Sequence, residues 1–409
     1  MMERDHAFPN QEIIHGDCIE EMRKMESNAI SAIVTDPPYG LHFMGKDWDK
    51  FKQKLTHGFN KPGQPRASGF SKSDGSSLAG TYDERRNDEF QIFITDIARE
   101  ALRICKPGAH LLMFGAPRRF HRQICALEDA GWEIRDCLMW LFGQGFPKSH
   151  NFGRKIGSDW NGFGTALKPA WEPIILAMKP CEGTFAQNAE KWGVAGINVD
   201  ACRINTQDIL SFGSRELGDG IKYGKCKPST EGIQNPLGRW PANLILDSEA
   251  GEMLDEMTGI LTTGGGNKRN TSPNTFRGKI THQDDHQDFS GKGGASRFFY
   301  CAKTSSSERG KGNNHPTVKP IRLMQYLIKL IMPPKDGILL DPFAGSGSTI
   351  VAAKQLGVRA IGIEKCAEYV EIAKARVEAA AINQQMELFE RESATELTPE
   401  QQHDLFEVS

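Results

Sequence analysis

The chain has 409 residues, of which 38% are hydrophobic and 25% charged, as in a globular enzyme with two domains or one domain carrying an insertion. It contains no run of about 18 apolar residues and begins without an apolar leader, so we expect a cytoplasmic protein with neither a membrane span nor a secretory signal. Its nine cysteines form no C-x-x-C pair, which disfavours a zinc knuckle or a disulfide framework, and its net charge of −2 indicates no particular partner.

The N-terminal part alternates strands with helices. Apolar runs predict strands over 12–15, 30–35 and 109–114, and one or two more within 132–142. Helical periodicity predicts helices near 19–25, 89–104 and 119–130. A Lys-Pro-Gly sequence at 106–108 predicts a turn before the third strand.

A Gly- and Ser-rich basic loop, assigned to residues 44–88, interrupts this alternation. Seven Lys or Arg residues and two Asp residues lie between Lys46 and Lys72. A flexible basic loop suits contacts with phosphates, although a merely solvated loop has the same composition. The candidate phosphate contacts are Lys46, Lys50, Lys52 and Lys54.

Residues 143–314 are only weakly periodic and are rich in Gly, Trp and Asn. Glycine clusters at 264–269 and 291–297 indicate loops. We interpret this region as an inserted substrate-recognition region of mixed, mostly irregular structure.

The C-terminal part alternates strands with helices again. Strands are predicted over 338–341 and 360–363, and helices over 348–356 and 366–380. The tail after 382 is acidic and is predicted to be flexible. Because each end supplies only part of a parallel sheet with helices on both faces, we expect one sheet assembled from both ends, in circularly permuted order.

The glycine-rich loop after Asp341 predicts a site for a nucleotide-type cofactor, since it follows a strand and opens a helix. A phosphate-binding Walker loop would need a lysine after Gly347, and a dinucleotide loop would need a third glycine where Thr349 and Ile350 stand. S-adenosylmethionine is the third alternative, since it has one carboxylate beside an amino and a sulfonium group.

Three acids at strand ends favour this third alternative. Asp341 is placed for the positive amino group, Glu364 for the ribose hydroxyls and Asp17 for the adenine amino group. Each acid taken alone could be an exposed loop carboxylate, but three acids on one sheet edge are hard to explain by packing.

The sequence Asp36-Pro37-Pro38-Tyr39 follows the apolar strand 30–35. An aromatic amino group is a poor nucleophile, and the Asp36 carboxylate with the Pro37 carbonyl can accept its hydrogens and direct its lone pair. The prolines stiffen the loop and remove competing N–H donors, and Tyr39 can stack on a base. A Pro-Pro turn with no chemical role is the alternative.

These motifs resemble those of the DNA amino-methyltransferases that act on adenine N6 or cytosine N4. T-D-P-P-Y-G near the N-terminus and D-P-F-A-G-S-G-S-T near the C-terminus stand in the permuted beta order of that family. His315-Pro-Thr-Val-Lys-Pro320 also matches, and segments at 145–149, 166–173, 238–243 and 296–303 resemble a branch common in phages and prophages.

The resemblance implies a permuted Rossmann-like α/β fold, with a mixed, mostly parallel seven-stranded sheet and an inserted target-recognition region. The implied parts are a catalytic half at 11–142, the insertion at 143–314, a cofactor half at 315–382 and a tail at 383–409. The resemblance also implies that Thr317 and Lys319 help to hold the methionine part of the cofactor. The implied cofactor loop is Asp341, Phe343, Ala344, Gly345, Ser346 and Gly347.

The implied activity is site-specific methylation of adenine N6 in double-stranded DNA, by base flipping and direct in-line transfer without a metal or covalent intermediate. Phe43, Trp48, Trp140 and Phe142 are weaker stacking candidates than Tyr39. The alternatives are cytosine N4, an RNA or protein amine, and an inactive DNA-binding remnant. The implied setting is the nucleoid of a bacterial or phage-infected cell, in DNA modification or restriction–modification.

The tail sequence Gln385-Met-Glu-Leu-Phe389 resembles the peptide by which bacterial DNA-acting proteins bind the replication sliding clamp. A chance amphipathic helix end is the alternative. We expect a monomer or a homodimer.

Overall fold

The computed structural model describes residues 11–40, 84–145, 147, 149–206, 238–263, 291–302 and 318–381. Several residues singled out above lie outside this part of the chain, and they are Lys46, Lys50, Lys52, Lys54, Phe43, Trp48, Thr317 and Gln385–Phe389. The chain divides into two units. The first is formed by Met1–Leu138, Glu172–Ile197 and Ser307–Gln384, and the second by Met139–Trp171, Asn198–Ser306 and Gln385–Ser409.

Strands and helices alternate at both ends of the chain, as the sequence predicts. The strands of the described residues are β1 (Gln11–His15), β2 (Ile30–Thr35), β3 (Cys105–Phe114), β4 (Glu133–Leu141), β5 (Trp171–Met178), β6 (Leu244–Asp247), β7 (Leu261–Thr263), β8 (Gly291–Gly293), β9 (Tyr300–Ala302), β10 (Ile338–Asp341) and β11 (Arg359–Glu364). The helices are α1 (Cys18–Lys24), α2 (Glu84–Ile104), α3 (Phe120–Ala130), α4 (Gly153–Ile156), α5 (Phe185–Trp192), α6 (Ser248–Thr258), α7 (Ile321–Ile331), α8 (Ser348–Gln355) and α9 (Ala367–Ala379).

Seven strands of the first unit lie in the order β1-β11-β10-β2-β3-β5-β4. The neighbours from β1 to β3 pair in parallel, and β5 is antiparallel to β3. C-terminal strands β10 and β11 therefore lie between N-terminal strands β1 and β2. This arrangement confirms that the sheet is mixed, mostly parallel and of permuted order, but the seven strands predicted are fewer than the nine that the sheet contains in the described part of the chain.

The central strands are buried on both faces, and their residues are correspondingly apolar. All six residues of β2 are buried. Phe90 and Ile94 of α2 pack with Ile33 of β2 and with Leu111 and Met113 of β3 in one core cluster. Such continuous apolar runs are typical of parallel strands sandwiched between helices, which is why the sequence alone locates them.

Several elements differ from the sequence prediction. Residues 84–88, predicted as the end of the basic loop, form the start of α2, and the predicted loop at 291–297 contains β8. The predicted turn at 106–108 lies inside β3, where Gly108 has a φ of +80° and its N–H donates to the Lys179 carbonyl at 2.9 Å. The pairing of β3 with the chain after β5 thus continues through the glycine. Part of the region 143–314, predicted to be a mostly irregular insertion, is regular: β5 and α5 belong to the first unit. The apolar run 173–178 is buried there as a strand of the sheet.

The second unit contains the end of β4, whose residues 139–141 pair in parallel with β6, and β6 pairs in parallel with β9. A short antiparallel pair, β7 with β8, stands apart from these strands. Asp247 ends β6 and caps α6 by accepting from the Ala250 N–H at 2.7 Å. This unit is more regular than the sequence predicts.

No helix in the described part of the chain is both long and apolar enough to cross a membrane. The eight cysteines that the structure describes are all free thiols.

Candidate active site

The carboxyl ends of adjacent parallel strands bring the predicted acids to one edge of the first unit's sheet. Asp341 ends β10, Glu364 ends β11, Asp36 follows β2 and Asp17 lies two residues after β1. These four strands are neighbours in the order β1-β11-β10-β2. Ligands of open α/β sheets bind at this edge, so the topology brings the predicted cofactor and catalytic residues together.

Asp341 is the anchor of the glycine-rich loop. Its Oδ1 accepts from the Phe343 N–H at 3.0 Å and from the Thr35 hydroxyl at 2.7 Å, and its Oδ2 accepts from the Thr349 hydroxyl at 2.5 Å. Burial, only partly offset by these hydrogen bonds, raises the pKa of Asp341 to about 6. The carboxylate is therefore well satisfied and sensitive to mildly acidic pH.

The loop itself depends on two glycines with left-handed backbone. Gly345 has a φ of +52° and Gly347 a φ of +83°, which other residues adopt only with strain. A Cβ added at Gly347 would also lie 3.0 Å from the Cβ of Ala373 in α9. Arg376 of α9 fastens the same loop, donating to the Ser346 carbonyl at 2.6 Å and the Ser346 hydroxyl at 2.9 Å.

Glu364 lies opposite the loop. Its Oε2 accepts from the Gly345 N–H at 2.9 Å and its Oε1 from the Cys366 N–H at 2.7 Å. Burial raises the pKa of Glu364 above its ordinary value, despite these amides. Each carboxylate oxygen keeps a second lone pair, which can accept from a vicinal diol such as a ribose.

Asp17 is the most exposed of these acids, with 34% of its side chain accessible. It caps α1 by accepting from the Ile19 N–H at 3.1 Å, and its other oxygen lies 3.0 Å from the Lys365 ammonium. Burial alone would raise its pKa, but the hydrogen bond and charge of Lys365 outweigh burial and lower it. Asp17 is thus an ionised, partly exposed hydrogen-bond acceptor at this edge of the sheet.

The predicted catalytic tetrapeptide, Asp36-Pro37-Pro38-Tyr39, forms a compact cluster after β2. The Tyr39 hydroxyl donates to Asp36 Oδ1 at 2.7 Å and lies 3.4 Å from Glu172 Oε2. Burial, followed by the charges of Asp36 and Glu172, raises the pKa of Tyr39 well above its ordinary value, so the hydroxyl stays a neutral donor. Pro37 is buried and fixes the turn between them.

Lys319 completes this cluster. Its ammonium lies 2.8 Å from Asp36 Oδ2 and 3.1 Å from Glu172 Oε2, and it is stacked over the ring of Phe114 at 4.7 Å. The sequence resemblance implied a cofactor contact for Lys319, whereas its contacts here are with the catalytic tetrapeptide. The role in cofactor binding stays a prediction.

One hydrogen bond joins the two halves of the site. Thr35, the last residue of β2, donates to Asp341, which lies 306 positions later in the chain. Asp36 and the glycine-rich loop are therefore fixed to each other through adjacent strands, as the sequence-based prediction requires.

Sequence reasoning missed four side chains of this site, namely Thr35, Glu172, Thr349 and Arg376. Glu172 lies in the segment 166–173, which resembles the family, but the resemblance assigns no function to Glu172 itself. Trp140 and Phe142, the weaker stacking candidates, lie in the second unit with their ring centroids 5.5 Å apart.

The carboxylates of this site fit S-adenosylmethionine better than a phosphate. Carboxylates at the ends of β10 and β11 suit an ammonium group and a diol, and they would repel a phosphate. No cluster of His, Cys, Asp or Glu suitable for a metal ion occurs among the residues that the structure describes.

Comparison with known protein families gives one match across most of the chain. The model of the N6 and N4 methyltransferase family, described as DNA methylase, matches residues 30–375. The match includes the Asp36-Pro37-Pro38-Tyr39 tetrapeptide and the glycine-rich loop.

Several curated relatives are similar to this chain. The type II methyltransferase M.HindIII of Haemophilus influenzae is 26% identical over 366 residues, covering 86% of this chain and 90% of the relative. Shorter matches join 66 residues to the putative methylase YubD of Escherichia coli K12, at 50% identity over 16% of this chain and 29% of that one. A match of 77 residues to M2.DpnII of Streptococcus pneumoniae has 47% identity over 19% and 28% of the two chains.

Among solved structures, the M1.HpyAVI complex with S-adenosylmethionine covers 90% of this chain and 99% of its own, at 17% identity and a TM-score of 0.37. The cytosine-N4-specific PvuII DNA methyltransferase covers 90% and 86%, at 14% identity and a TM-score of 0.43.

Proposed function

Because the chain belongs to the DNA methylase family of N6 and N4 methyltransferases, we propose that it methylates the N6 amino group of adenine at a specific site in double-stranded DNA. S-adenosylmethionine is the cofactor, and when bound it supplies an electrophilic methyl group on a sulfonium sulfur. The observation that carries the proposal is the Thr35–Asp341 hydrogen bond of 2.7 Å, which fixes the Asp36 cluster beside the cofactor loop.

On the cofactor side, each acid has a distinct task. Asp341 supplies negative charge near the amino group of the cofactor's methionine part, and it is held rigid by Thr35 and Thr349. Glu364 accepts from the ribose hydroxyls, and Asp17 accepts from the adenine amino group. The N-terminus of α8, which follows the loop, would favour the negative charge of the cofactor's carboxylate.

On the acceptor side, Asp36 accepts one hydrogen of the target amino group and the Pro37 carbonyl accepts the other. These acceptors turn the nitrogen lone pair out of conjugation and toward the methyl carbon. Positive charge develops on this nitrogen during transfer, so both contacts strengthen in the transition state. The proton released from the nitrogen passes to Asp36 or to water.

The target base must leave the helix to reach this cluster, because Asp36 lies against the sheet edge and the amino group of a paired base is inside the duplex. Tyr39 is proposed to stack on the flipped base, while Asp36 holds its hydroxyl. Lys46, Lys50, Lys52 and Lys54 are proposed to contact phosphates, which would make binding weaker at higher salt.

We propose adenine rather than cytosine as the target base because the tetrapeptide begins with Asp36. In this family, Asp at that position is more typical of enzymes that act on adenine. Cytosine N4 has the same amino chemistry and is the second candidate. Sequencing with modified-base detection decides between them, using DNA from cells that express the protein and from cells that express the Asp36→Ala variant.

We expect N6-methyladenine at one recognition sequence in the first DNA and none in the second. N4-methylcytosine at that sequence would refute the adenine proposal. Transfer of labelled methyl to RNA or protein, but not to duplex DNA, would refute the DNA substrate.

A further inference from the structure

Lys319 is a buried cation that the catalytic scheme above does not use. The residue is 8% exposed and stands just before α7. Burying an ammonium destabilises the fold unless oppositely charged groups compensate. Burial alone would lower the pKa of Lys319, but the charges of Asp36 and Glu172 outweigh it and raise the pKa above its ordinary value, so the side chain stays charged.

The ammonium fixes one oxygen of the catalytic carboxylate. Lys319 holds Asp36 Oδ2 at 2.8 Å, while the Tyr39 hydroxyl holds Oδ1 at 2.7 Å. Two donors on two oxygens define the rotation of the carboxylate plane. Each oxygen keeps a lone pair for the incoming amino group.

Glu172 fixes the other side of the same cluster. Its Oε2 lies 3.1 Å from the Lys319 ammonium and 3.4 Å from the Tyr39 hydroxyl. Glu172 thus shares the cation with Asp36, so Asp36 is not fully neutralised and remains a strong acceptor. Without Lys319, two partly buried carboxylates would face each other across a single hydroxyl.

We propose that Lys319 and Glu172 are positioning residues for methyl transfer, which act together to orient the Asp36 carboxylate toward the target amino group. This inference rests on the proposed function and names two residues that act through Asp36. It differs from the cofactor-holding role that the family resemblance implies for Lys319.

The test compares the single-turnover methylation rate at saturating cofactor with the cofactor dissociation constant from calorimetric titration. Lys319→Met is expected to lower the rate roughly 100-fold, because a buried carboxylate pair is left uncompensated, and to change the cofactor affinity less than about threefold. Glu172→Gln is expected to lower the rate about 10-fold, because Asp36 then takes the cation alone. Exposed controls, Lys335→Met and Glu190→Gln, should keep the wild-type rate.

The double variant Lys319→Met/Glu172→Gln gives the decisive readout. Since it removes the facing charge together with its partner, it should be faster than Lys319→Met alone, which independent structural damage would not produce. If Lys319→Met fails to fold, Lys319→Arg replaces it, with a lower rate at unchanged cofactor affinity expected from the displaced donor.

Three outcomes separate the two claims. A wild-type rate in Lys319→Met, or a rate loss explained entirely by weaker cofactor binding, overturns the positioning role while leaving the proposed function intact. Additive losses in the double variant also overturn it. A wild-type protein that methylates cytosine, with the rate pattern above preserved in the variants, overturns the adenine proposal and supports the positioning role.

Discussion

The cofactor side and the acceptor side of this site are built in different ways. On the cofactor side, Asp341 is held by Thr349 eight positions away, and Gly345 is held by Glu364 nineteen positions away. On the acceptor side, Tyr39 contacts Glu172 at a separation of 133 positions and Lys319 at a separation of 280. Apart from the Thr35 hydrogen bond to Asp341, the glycine-rich loop is held by local contacts, whereas the acceptor side exists only when distant segments have folded together.

This difference predicts that cofactor binding and methyl transfer can be impaired independently of each other. Changes in the local motif should weaken cofactor binding, while changes in the acceptor cluster should slow transfer without weakening it. The variants below test that separation.

Asp36→Ala should have the largest effect. Removing a charge-assisted acceptor worth about 1.5–3 kcal/mol lowers kcat by about 100-fold, while the cofactor dissociation constant stays within about twofold. Steady-state kinetics and calorimetric titration measure the two quantities, with the exposed Asp96→Asn on α2 as control. A cofactor affinity that falls with kcat would break the separation of the two sides.

Gly347→Ala should mainly weaken cofactor binding, by about 10-fold, because a left-handed alanine costs about 1–2 kcal/mol and its Cβ meets Ala373 at 3.0 Å. Gly357→Ala is the matched control, since Gly357 also has a positive φ, +68°, but open space around its Cβ position. It should lower the thermal midpoint without changing cofactor affinity. Equal affinity losses in the two variants would show that the loop contact is unimportant.

Asp341→Asn should change how stability depends on pH. A carboxyl pKa raised from 3.8 to about 6 contributes stability that is complete below about pH 4 and lost as pH rises through about 6. The wild-type free energy of unfolding should therefore fall relative to the variant by about 2 kcal/mol between about pH 4 and pH 7. Urea unfolding at several pH values measures this difference, and a constant difference would contradict it.

The same titration should affect the cofactor. Wild-type affinity is expected to drop as pH falls below about 6, because protonated Asp341 no longer attracts an ammonium group. In Asp341→Asn the affinity should be weaker and independent of pH over that range. A pH-dependent affinity in the variant would assign the effect to another group.

Arg376→Met should have a smaller effect on the same side. It removes donors to Ser346 at 2.6 and 2.9 Å, so the loop loses support and cofactor binding should weaken about threefold. Lys374→Met, on the same helix, has an exposed side chain and should bind as the wild type does. A loss of kcat at saturating cofactor would place Arg376 in the acceptor cluster's function instead.

Deleting residues 383–409 should have no effect on either side. Methylation of free duplex DNA should stay at the wild-type rate, while capture by immobilised sliding clamp should be lost if Gln385–Phe389 binds it. Unchanged capture after deletion would dismiss the clamp proposal.

The two sides also differ in how far the sequence predicts them. The strand–loop–helix pattern around Asp341 lies in consecutive residues, so both its secondary structure and its glycine requirement follow from local patterns. The residues Asp36-Pro37-Pro38-Tyr39 were equally visible, but their partners were not. Glu172 is one of 52 acidic residues, and no local pattern shows that it meets Tyr39.

The strand β5 shows a second limit. Its apolar run from 173 to 178 carried a strand signal, but the glycine-rich surroundings led to an interpretation as irregular structure. Its antiparallel pairing with β3 depends on the whole sheet, which no window of sequence contains. Lys319 shows a third limit. The sequence identifies its motif at 315–320, but does not show that its ammonium contacts Asp36 and Glu172.

The insertion of β10 between β11 and β2 has a consequence for biosynthesis. Leu339 and Leu340 pair with Ala32 and Ile33, so a strand made among the first residues waits for a partner made about 300 residues later. At a translation rate of about 5–20 residues per second, this delay is about 15–60 s. All six residues of β2 are buried in the finished fold. One edge of β2 can pair with β3 much earlier, but the edge that β10 covers lacks its partner for that time. The nascent chain therefore leaves one edge of an apolar strand uncovered until β10 has been made, and shielding of that edge by a chaperone would raise the yield of folded protein.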